Sequence, residues 1–149
     1  MNKLKFDIAN YFLIWIIIII VLHYIIPIKQ IVFSPYNYLG IILFVLGWIP
    51  NIWQGIRYRK IGISIPAKDM PMKLVTTGLF KFSRNPTYFG MLIALFGEAI
   101  FLGSLVTFVV PVLFFILIRK FNITFEEKNL EKKFGKNYIE YKSKVRRWI

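Results

Sequence analysis

Long apolar runs divide the sequence into segments that resemble membrane helices. The first run, Tyr11 to Ile28, is almost continuously apolar, and the second, Tyr36 to Ile56, is interrupted by Gly40, Gly47 and Pro50. About 20 apolar residues span the hydrocarbon core of a bilayer, so each run predicts one transmembrane helix. Glycine and proline are tolerated there because neighbouring helices satisfy the freed backbone groups.

The third apolar run is too long for one membrane helix. It extends from Tyr88 to Ile118 and would be about 46 Å long at 1.5 Å per residue, against a core of about 30 Å. A turn at Gly103-Ser104 divides it into two short or tilted helices. The pattern therefore predicts four transmembrane helices, at about residues 11–28, 36–56, 86–103 and 105–121.

The tail carries an apolar stripe at steps of three and four residues, which predicts a cytosolic amphipathic helix over about residues 123–147. Gly135 is expected to bend this helix or to divide it into two. The predicted fold is an all-α, polytopic membrane protein with one domain over residues 1–149. The stripe consists of Leu130, Phe134, Tyr138, Tyr141, Val145 and Trp148.

Composition supports a membrane protein and excludes several kinds of chemistry. The chain is 57% hydrophobic yet has a formal charge of +13, so its charges must be segregated from its apolar surface. The absence of cysteine excludes disulfides, cysteine-ligated zinc and a thiol nucleophile. A single histidine makes metal sites and catalytic triads unexpected. A cleavable signal peptide is not expected either, because the first run is long and no small-x-small site follows it.

The basic residues predict the orientation in the membrane. Seven basic residues and one acid lie between Arg57 and Arg84, and ten basic residues and four acids follow from Arg119 onward. With four helices, both stretches fall on the cytosolic side, as the positive-inside rule requires, and both termini are cytosolic. We expect a multi-pass protein of a prokaryotic cell membrane. Orientation and anionic lipid explain the charge, so nucleic-acid binding is not expected.

A segment rich in polar and turn-forming residues, MKLVTTGLFKFSRNPTYFG at residues 72–90, leads into the third helix. Pro86 suits the first position of a helix, and Asn85 suits its N-cap. A helix start also attracts a carboxylate or phosphate. Taken alone, this pattern is also that of an ordinary capped membrane helix. The chain has no Gly-x-Gly pair, so it has neither a Rossmann fingerprint nor a P-loop.

A second motif follows the fourth helix, where Glu126-Glu127 precedes Leu130 and Phe134-Gly135. Alone, it is typical of acids in the first turn of a helix. Together with Arg84-Asn85-Pro86-Thr87-Tyr88-x-Gly90, it resembles the isoprenylcysteine carboxyl methyltransferases and related phospholipid methyltransferases, from Met72 onward. The resemblance implies S-adenosylmethionine as cofactor, and membrane lipids with a lipophilic methyl acceptor as partners.

The resemblance also implies roles for individual residues, with no metal. Glu126 would accept hydrogen bonds from the cofactor's amino and ribose groups, the helix cap at Asn85 would supply donors for its carboxylate, and Phe80 would help to form an apolar slot. The candidate catalytic residues are Arg84, Arg119 and Glu127. The cofactor-binding residues implied are Met72, Lys73, Leu74, Val75, Phe80, Asn85, Pro86, Thr87, Tyr88 and Glu126.

The sequence departs from the family pattern at two positions. Asn85 stands where the carboxyl methyltransferases typically have histidine, and Asn122 where they have an arginine for the substrate's carboxylate. Arg119, three residues earlier and expected on the same helical face, is the candidate substitute. Prenylcysteine carboxylates are therefore expected to be poor acceptors. An acceptor that must lose a proton needs a base, for which Glu127 or Glu98 are the candidates.

Other interpretations remain open at this point. Glu98 lies mid-membrane, where it either faces the substrate or is a protonated structural group, and His23 is expected to be structural. An NADPH-dependent enzyme of the sterol-reductase type and a non-catalytic membrane scaffold are the alternative functions.

Overall fold

The computed structural model describes residues 11–26, 28–60 and 73–149, and all regular structure in these residues is helical. The predicted all-α class is thus confirmed for the described part of the chain. Met72, predicted to bind the cofactor, lies outside it. The helices are α1 (Phe12–Ile25), α2 (Leu39–Lys60), α3 (Pro86–Leu102), α4 (Val109–Leu117), α5 (Thr124–Phe134) and α6 (Lys136–Lys144), with 3₁₀ turns at Tyr36–Tyr38, Gly78–Lys81 and Leu105–Phe108, and a π-helical turn at Ile118–Ile123.

Two of the helical stretches are long and apolar enough to cross a membrane. They are Tyr36–Lys60, with 25 residues, and Leu105–Phe134, with 30, while α1 and α3 are apolar but shorter. Only 11% of the apolar window of the first stretch is buried within the protein. Its exposed side chains are largely isoleucine, leucine and valine. Such a surface suits lipid rather than water.

Helices α2 and α3 pack with their backbones in contact. A Cβ atom added to Gly47 would lie 2.5 Å from the Ala94 nitrogen and 2.6 Å from the Gly90 oxygen. Two turns away, a Cβ on Gly97 would lie 2.6 Å from the Gly40 oxygen. Small residues let membrane helices approach closely enough for extensive van der Waals contact. The paired glycines therefore fix the distance and register between these antiparallel helices.

Aromatic packing joins α1 to this pair and to α4. The Phe12 ring lies edge-on to Trp48, with centroids 5.6 Å apart, and to Phe114 at 6.0 Å. Trp15 also lies edge-on to Phe114, with centroids 5.6 Å apart. Edge-to-face geometry is favoured by the ring quadrupoles. The core of the described residues thus lies where α1, α3 and α4 meet.

The α1–α2 and α3–α4 connections meet at one end of the bundle. The Ile31 amide donates to the Gly103 carbonyl over 2.8 Å, and the Leu105 amide donates to the Lys29 carbonyl over 3.1 Å. Gly103 ends α3 with φ of 71°, a left-handed conformation that favours glycine. Because unpaired backbone groups are costly near a bilayer, this mutual pairing makes a compact end for both helix pairs.

Replacing Gly47 with alanine should destabilise the bundle, because the new methyl group meets α3 backbone that cannot rotate away. We expect a loss of about 1–3 kcal/mol, the usual cost of overpacking. Thermal unfolding in detergent measures it. Gly55→Ala is the matched control, since nothing lies within 4 Å of a Cβ there. Equal melting temperatures for the two variants would contradict the close packing.

Candidate functional site

Glu127 is held between two arginines. Its carboxylate accepts hydrogen bonds from Arg147, from Nε at 3.0 Å and from Nη2 at 2.6 Å. Arg84 Nη1 lies 3.1 Å from the same carboxylate. The Glu127 and Arg84 side chains are only 8% and 9% exposed. Bidentate arginine–carboxylate pairs are strong and directional, so these three residues, the ion cluster, form a rigid unit.

The segment after α6 returns to the start of α3. The Arg84 amide donates to the Arg146 carbonyl over 3.0 Å, and the Ser83 hydroxyl donates to the Arg147 carbonyl over 3.3 Å. Asn85 precedes α3, as the sequence predicts, but its side chain does not cap the helix. Instead, the side-chain NH₂ of Asn85 donates to the Arg147 carbonyl over 3.0 Å. The Asn85 side chain is thus held by a contact across 62 residues rather than by a local capping bond.

A direct contact joins the two sequence motifs. The Tyr88 hydroxyl, in the first turn of α3, donates a hydrogen bond to the Glu126 carboxylate, in the first turn of α5. Tyr88 is half-buried and Glu126 is exposed. Two predicted cofactor-binding residues, 38 positions apart, therefore lie side by side.

Two polar side chains from the C-terminal part of α2 join the Tyr88–Glu126 contact. The Thr87 hydroxyl donates to the Gln54 side-chain carbonyl. Tyr58, one turn further along α2, contacts the Gln54 side chain and interacts electrostatically with Glu126. We call Gln54, Tyr58, Thr87, Tyr88 and Glu126 the polar cluster. The sequence prediction missed Gln54 and Tyr58, although their spacing of four places them on one helical face.

Aromatic residues lie beside the predicted apolar slot. The Phe80 ring is 6.5 Å from Trp53, and the Phe80 carbonyl accepts a hydrogen bond from Tyr141 over 2.7 Å. Leu74 and Val75 are half-buried, and Lys73 is exposed. The remaining predicted cofactor residue, Pro86, is buried at the start of α3.

The π-helical turn separates Arg119 from Asn122. Hydrogen bonds in a π-helix run from i to i+5, so residues three apart no longer share a face as in an α-helix. Arg119 is exposed and Asn122 is buried. Arg119 borders a cleft of about 360 Å³ that is also lined by Arg84, Phe115, Arg147 and Trp148. The expected shared face of Arg119 and Asn122 is therefore not present.

Burial raises the pKa values of the two tyrosines next to the ion cluster, Tyr138 and Tyr141. Burial raises the pKa of Tyr141 to about 12. Burial, assisted by the Glu127 charge, also raises the pKa of Tyr138 above its usual value. The hydrogen bond to Glu127 raises the pKa of Arg147. At neutral pH both tyrosines are therefore protonated and Arg147 is charged.

Glu98 lies away from both clusters. It is ten residues beyond Tyr88 on α3, or about 15 Å along the helix axis. Its carboxylate is buried, and Oε2 has no hydrogen-bond partner among the described residues. That distance argues against Glu98 as a base at the polar cluster. In the same residues, no group of three His, Asp or Glu side chains is placed to hold a metal.

Comparison with known proteins identifies the family. Residues 36–137, which contain α2 to α5 and both motifs, match the family described as phospholipid methyltransferase. The chain belongs to the phospholipid methyltransferase family. The resemblance inferred from the two motifs is thereby confirmed.

Two named relatives of this phospholipid methyltransferase family member are protein-S-isoprenylcysteine O-methyltransferases. The protein from Schizosaccharomyces pombe is 39% identical over 75 residues, 48% of this chain and 30% of that protein. Protein-S-isoprenylcysteine O-methyltransferase B from Arabidopsis thaliana is 33% identical over 76 residues, 49% of this chain and 37% of that protein.

A shorter relative, an uncharacterized protein from Haemophilus influenzae, is 39% identical over 62 residues, which is 42% of this chain and 98% of that protein. The matched part of the chain thus covers about a third of each named methyltransferase. No solved structure matches the chain significantly.

Removing the Glu127 carboxylate should destabilise this family member strongly. Glu127→Ala leaves two buried or half-buried guanidinium groups uncompensated, and breaking a buried ion pair costs about 3–5 kcal/mol. Glu131→Ala is the control, because its pair with Lys142 is more exposed and worth about 0–1 kcal/mol. Thermal unfolding in detergent compares them. Similar losses in the two variants would show that the ion cluster does not hold the tail.

Proposed function

We propose that this protein transfers a methyl group from S-adenosylmethionine to a membrane-resident lipophilic acceptor at the polar cluster. The observation that carries the proposal is the contact between Tyr88 and Glu126, which joins the two motifs within the region that matches the family. A family match alone gives no site, whereas this contact joins a side chain of α3 to one of α5, and we propose that both bind the cofactor.

The side chains at this position suit the cofactor. The exposed Glu126 carboxylate is an acceptor for hydroxyl and amino donors, and aromatic rings such as those of Tyr58 and Tyr88 attract cations. Trp53, which precedes Gln54 in α2, and Phe80, with its ring centroid 6.5 Å from that of Trp53, offer an apolar surface. When bound, S-adenosylmethionine supplies a methyl group activated by its positively charged sulfur.

The chain would contribute mainly by positioning the reactants. Helices α2, α3 and α5 each supply one side of the polar cluster, and the glycine contact holds two of them at fixed distance. Holding reactants in line can account for about 7–11 kcal/mol of a barrier. We propose that Glu127 holds Arg84 and Arg147 rather than acting as a base, because both arginines already occupy its oxygens.

Glu126→Gln should weaken S-adenosylmethionine binding by about ten- to a hundredfold, the effect of losing a hydrogen bond to a charged group. Tyr88→Phe should also weaken it, because the Glu126 carboxylate loses the hydroxyl that orients it. Isothermal titration calorimetry in detergent measures the affinity, with Glu140→Gln as an exposed control on α6. NADPH is titrated in parallel and should not bind. Unchanged S-adenosylmethionine affinity in both variants, or tight NADPH binding, would overturn the proposed site.

We further propose four membrane crossings with both termini in the cytosol. The hydrogen bonds between the α1–α2 and α3–α4 connections support this proposal. They put Lys29 at one end of the bundle, opposite the end that carries the basic tail. The chain has no cysteine, so single cysteines give an unambiguous label.

Cysteines introduced at the exposed Lys29 and Lys136 positions should react with an impermeant thiol reagent from opposite sides of the membrane. Intact cells and inverted vesicles are labelled separately. The cysteine-free parent protein is the control. Labelling of both positions from one side would exclude this topology.

The proposed acceptor is a membrane-resident lipophilic molecule. Membranes given S-adenosylmethionine with a labelled methyl group, followed by lipid extraction, would identify the methylated molecule. N-acetyl-farnesylcysteine, assayed in parallel, tests whether the protein methylates a carboxylate although residue 122 is asparagine and not arginine.

A further inference from the structure

A second polar region lies on the other side of α5, in the cleft lined by Arg84, Arg119 and Arg147 with Phe115 and Trp148. We call it the arginine cleft. None of the predicted cofactor-binding residues lines it, whereas two of the predicted catalytic residues, Arg84 and Arg119, do. Consecutive residues of a helix point in different directions, and α5 directs Glu126 to Tyr88 and Glu127 to the arginines. The cleft is therefore separate from the polar cluster.

The cleft has more positive than negative charge. In the part of the chain that the structure describes, the three guanidinium groups are balanced only by the Glu127 carboxylate, which contacts Arg84 and Arg147. Among the described residues, Arg119 makes no ion pair, and no side chain lining the cleft is acidic. Guanidinium groups bind phosphate and carboxylate oxygens in bidentate geometry. The charge and the volume of about 360 Å³ suit a phosphate-bearing group.

The apolar side of the cleft indicates where such a group comes from. The rings of Phe115 and Trp148 lie 5.3 Å apart beside the arginines. On α4, Ile116 and Val112 are 52% and 49% exposed, three and seven residues before Arg119. Their spacing of four places both side chains on one face of α4, the helix that ends just before Arg119. An acyl chain can lie along this face while its headgroup meets the arginines, as expected at a membrane interface.

We infer that the arginine cleft binds the phosphate of an anionic membrane lipid. The bound phosphate contacts Arg119 next to α4 and Arg147 in the C-terminal segment, and so holds this segment against the membrane helices. The inference goes beyond the proposed methyl transfer and stands without it, because it rests only on the charge, shape and position of the cleft.

The test compares phosphatidic acid with diacylglycerol of the same acyl chains, which differ only in the phosphate. Native mass spectrometry and thermal unfolding of the whole purified protein in detergent measure binding. Phosphatidic acid should bind and raise the unfolding midpoint by about 5 °C, as a ligand well above its Kd does, whereas diacylglycerol should not. Arg119→Gln should weaken phosphatidic acid binding by about tenfold or more, because one charged contact is lost.

Lys120→Gln is the matched control, since Lys120 is the adjacent exposed cation and does not line the cleft. It should bind phosphatidic acid like the parent protein. Equal binding by the parent protein and Arg119→Gln, or an equal effect of diacylglycerol, would overturn the inference. If inorganic phosphate at the same concentration stabilises the protein equally, the cleft binds a free anion and the lipid assignment is wrong. Loss of methyl transfer in any variant bears on the proposed function alone.

Discussion

The backbone contact between α2 and α3 sets the geometry on which the polar cluster depends. Gln54 lies two turns after Gly47, and Thr87 lies one turn before Gly90, so the glycine contact leads directly to the Gln54–Thr87 hydrogen bond. A side chain in place of either glycine would move the two helix ends apart. The contact is also favourable in lipid, where helices associate by close packing rather than by the hydrophobic effect. One feature thus serves both the fold and the site.

The ion cluster places the second constraint, on the C-terminal segment. Burying a carboxylate is costly, and its attraction to arginine only partly offsets the desolvation, so Glu127 adds little net stability over an apolar packing. It adds specificity, because only one arrangement of the tail brings Arg147 into bidentate contact. The backbone hydrogen bond between Arg84 and Arg146 reinforces that arrangement. The start of α3 and the end of the chain are therefore held as a unit.

The adjacent glutamates of α5 illustrate how one short motif serves two places. Glu126 is exposed and contacts Tyr88, whereas Glu127 is buried and contacts Arg84 and Arg147. Since neighbouring helical residues are about 100° apart, a pair of acids cannot meet one ligand unless the helix is distorted. The two carboxylates accordingly lie in different electrostatic surroundings. Their separation leaves the polar cluster and the arginine cleft as distinct regions at the same end of the bundle.

The sequence by itself determined the properties that depend on near neighbours. Apolar runs indicated helices, Pro86 indicated where α3 begins, and Gly103 indicated where it ends, because these signals act within one or two turns. The two motifs, taken as a set, also identified the family.

Only the tertiary structure decided which polar side chains meet. Asn85 stands at a capping position in the sequence, but in the fold its side-chain NH₂ donates to the Arg147 carbonyl. Glu127 and Arg147 are 20 residues apart, and nothing in their spacing distinguishes Arg147 from the other basic residues of the tail. The π-helical turn likewise separates Arg119 from Asn122 by a change in backbone geometry that the pattern of residues does not show. The physical reason is that periodicity specifies which face of a helix is apolar, whereas contacts between polar side chains depend on the distances and rotations at which whole helices pack.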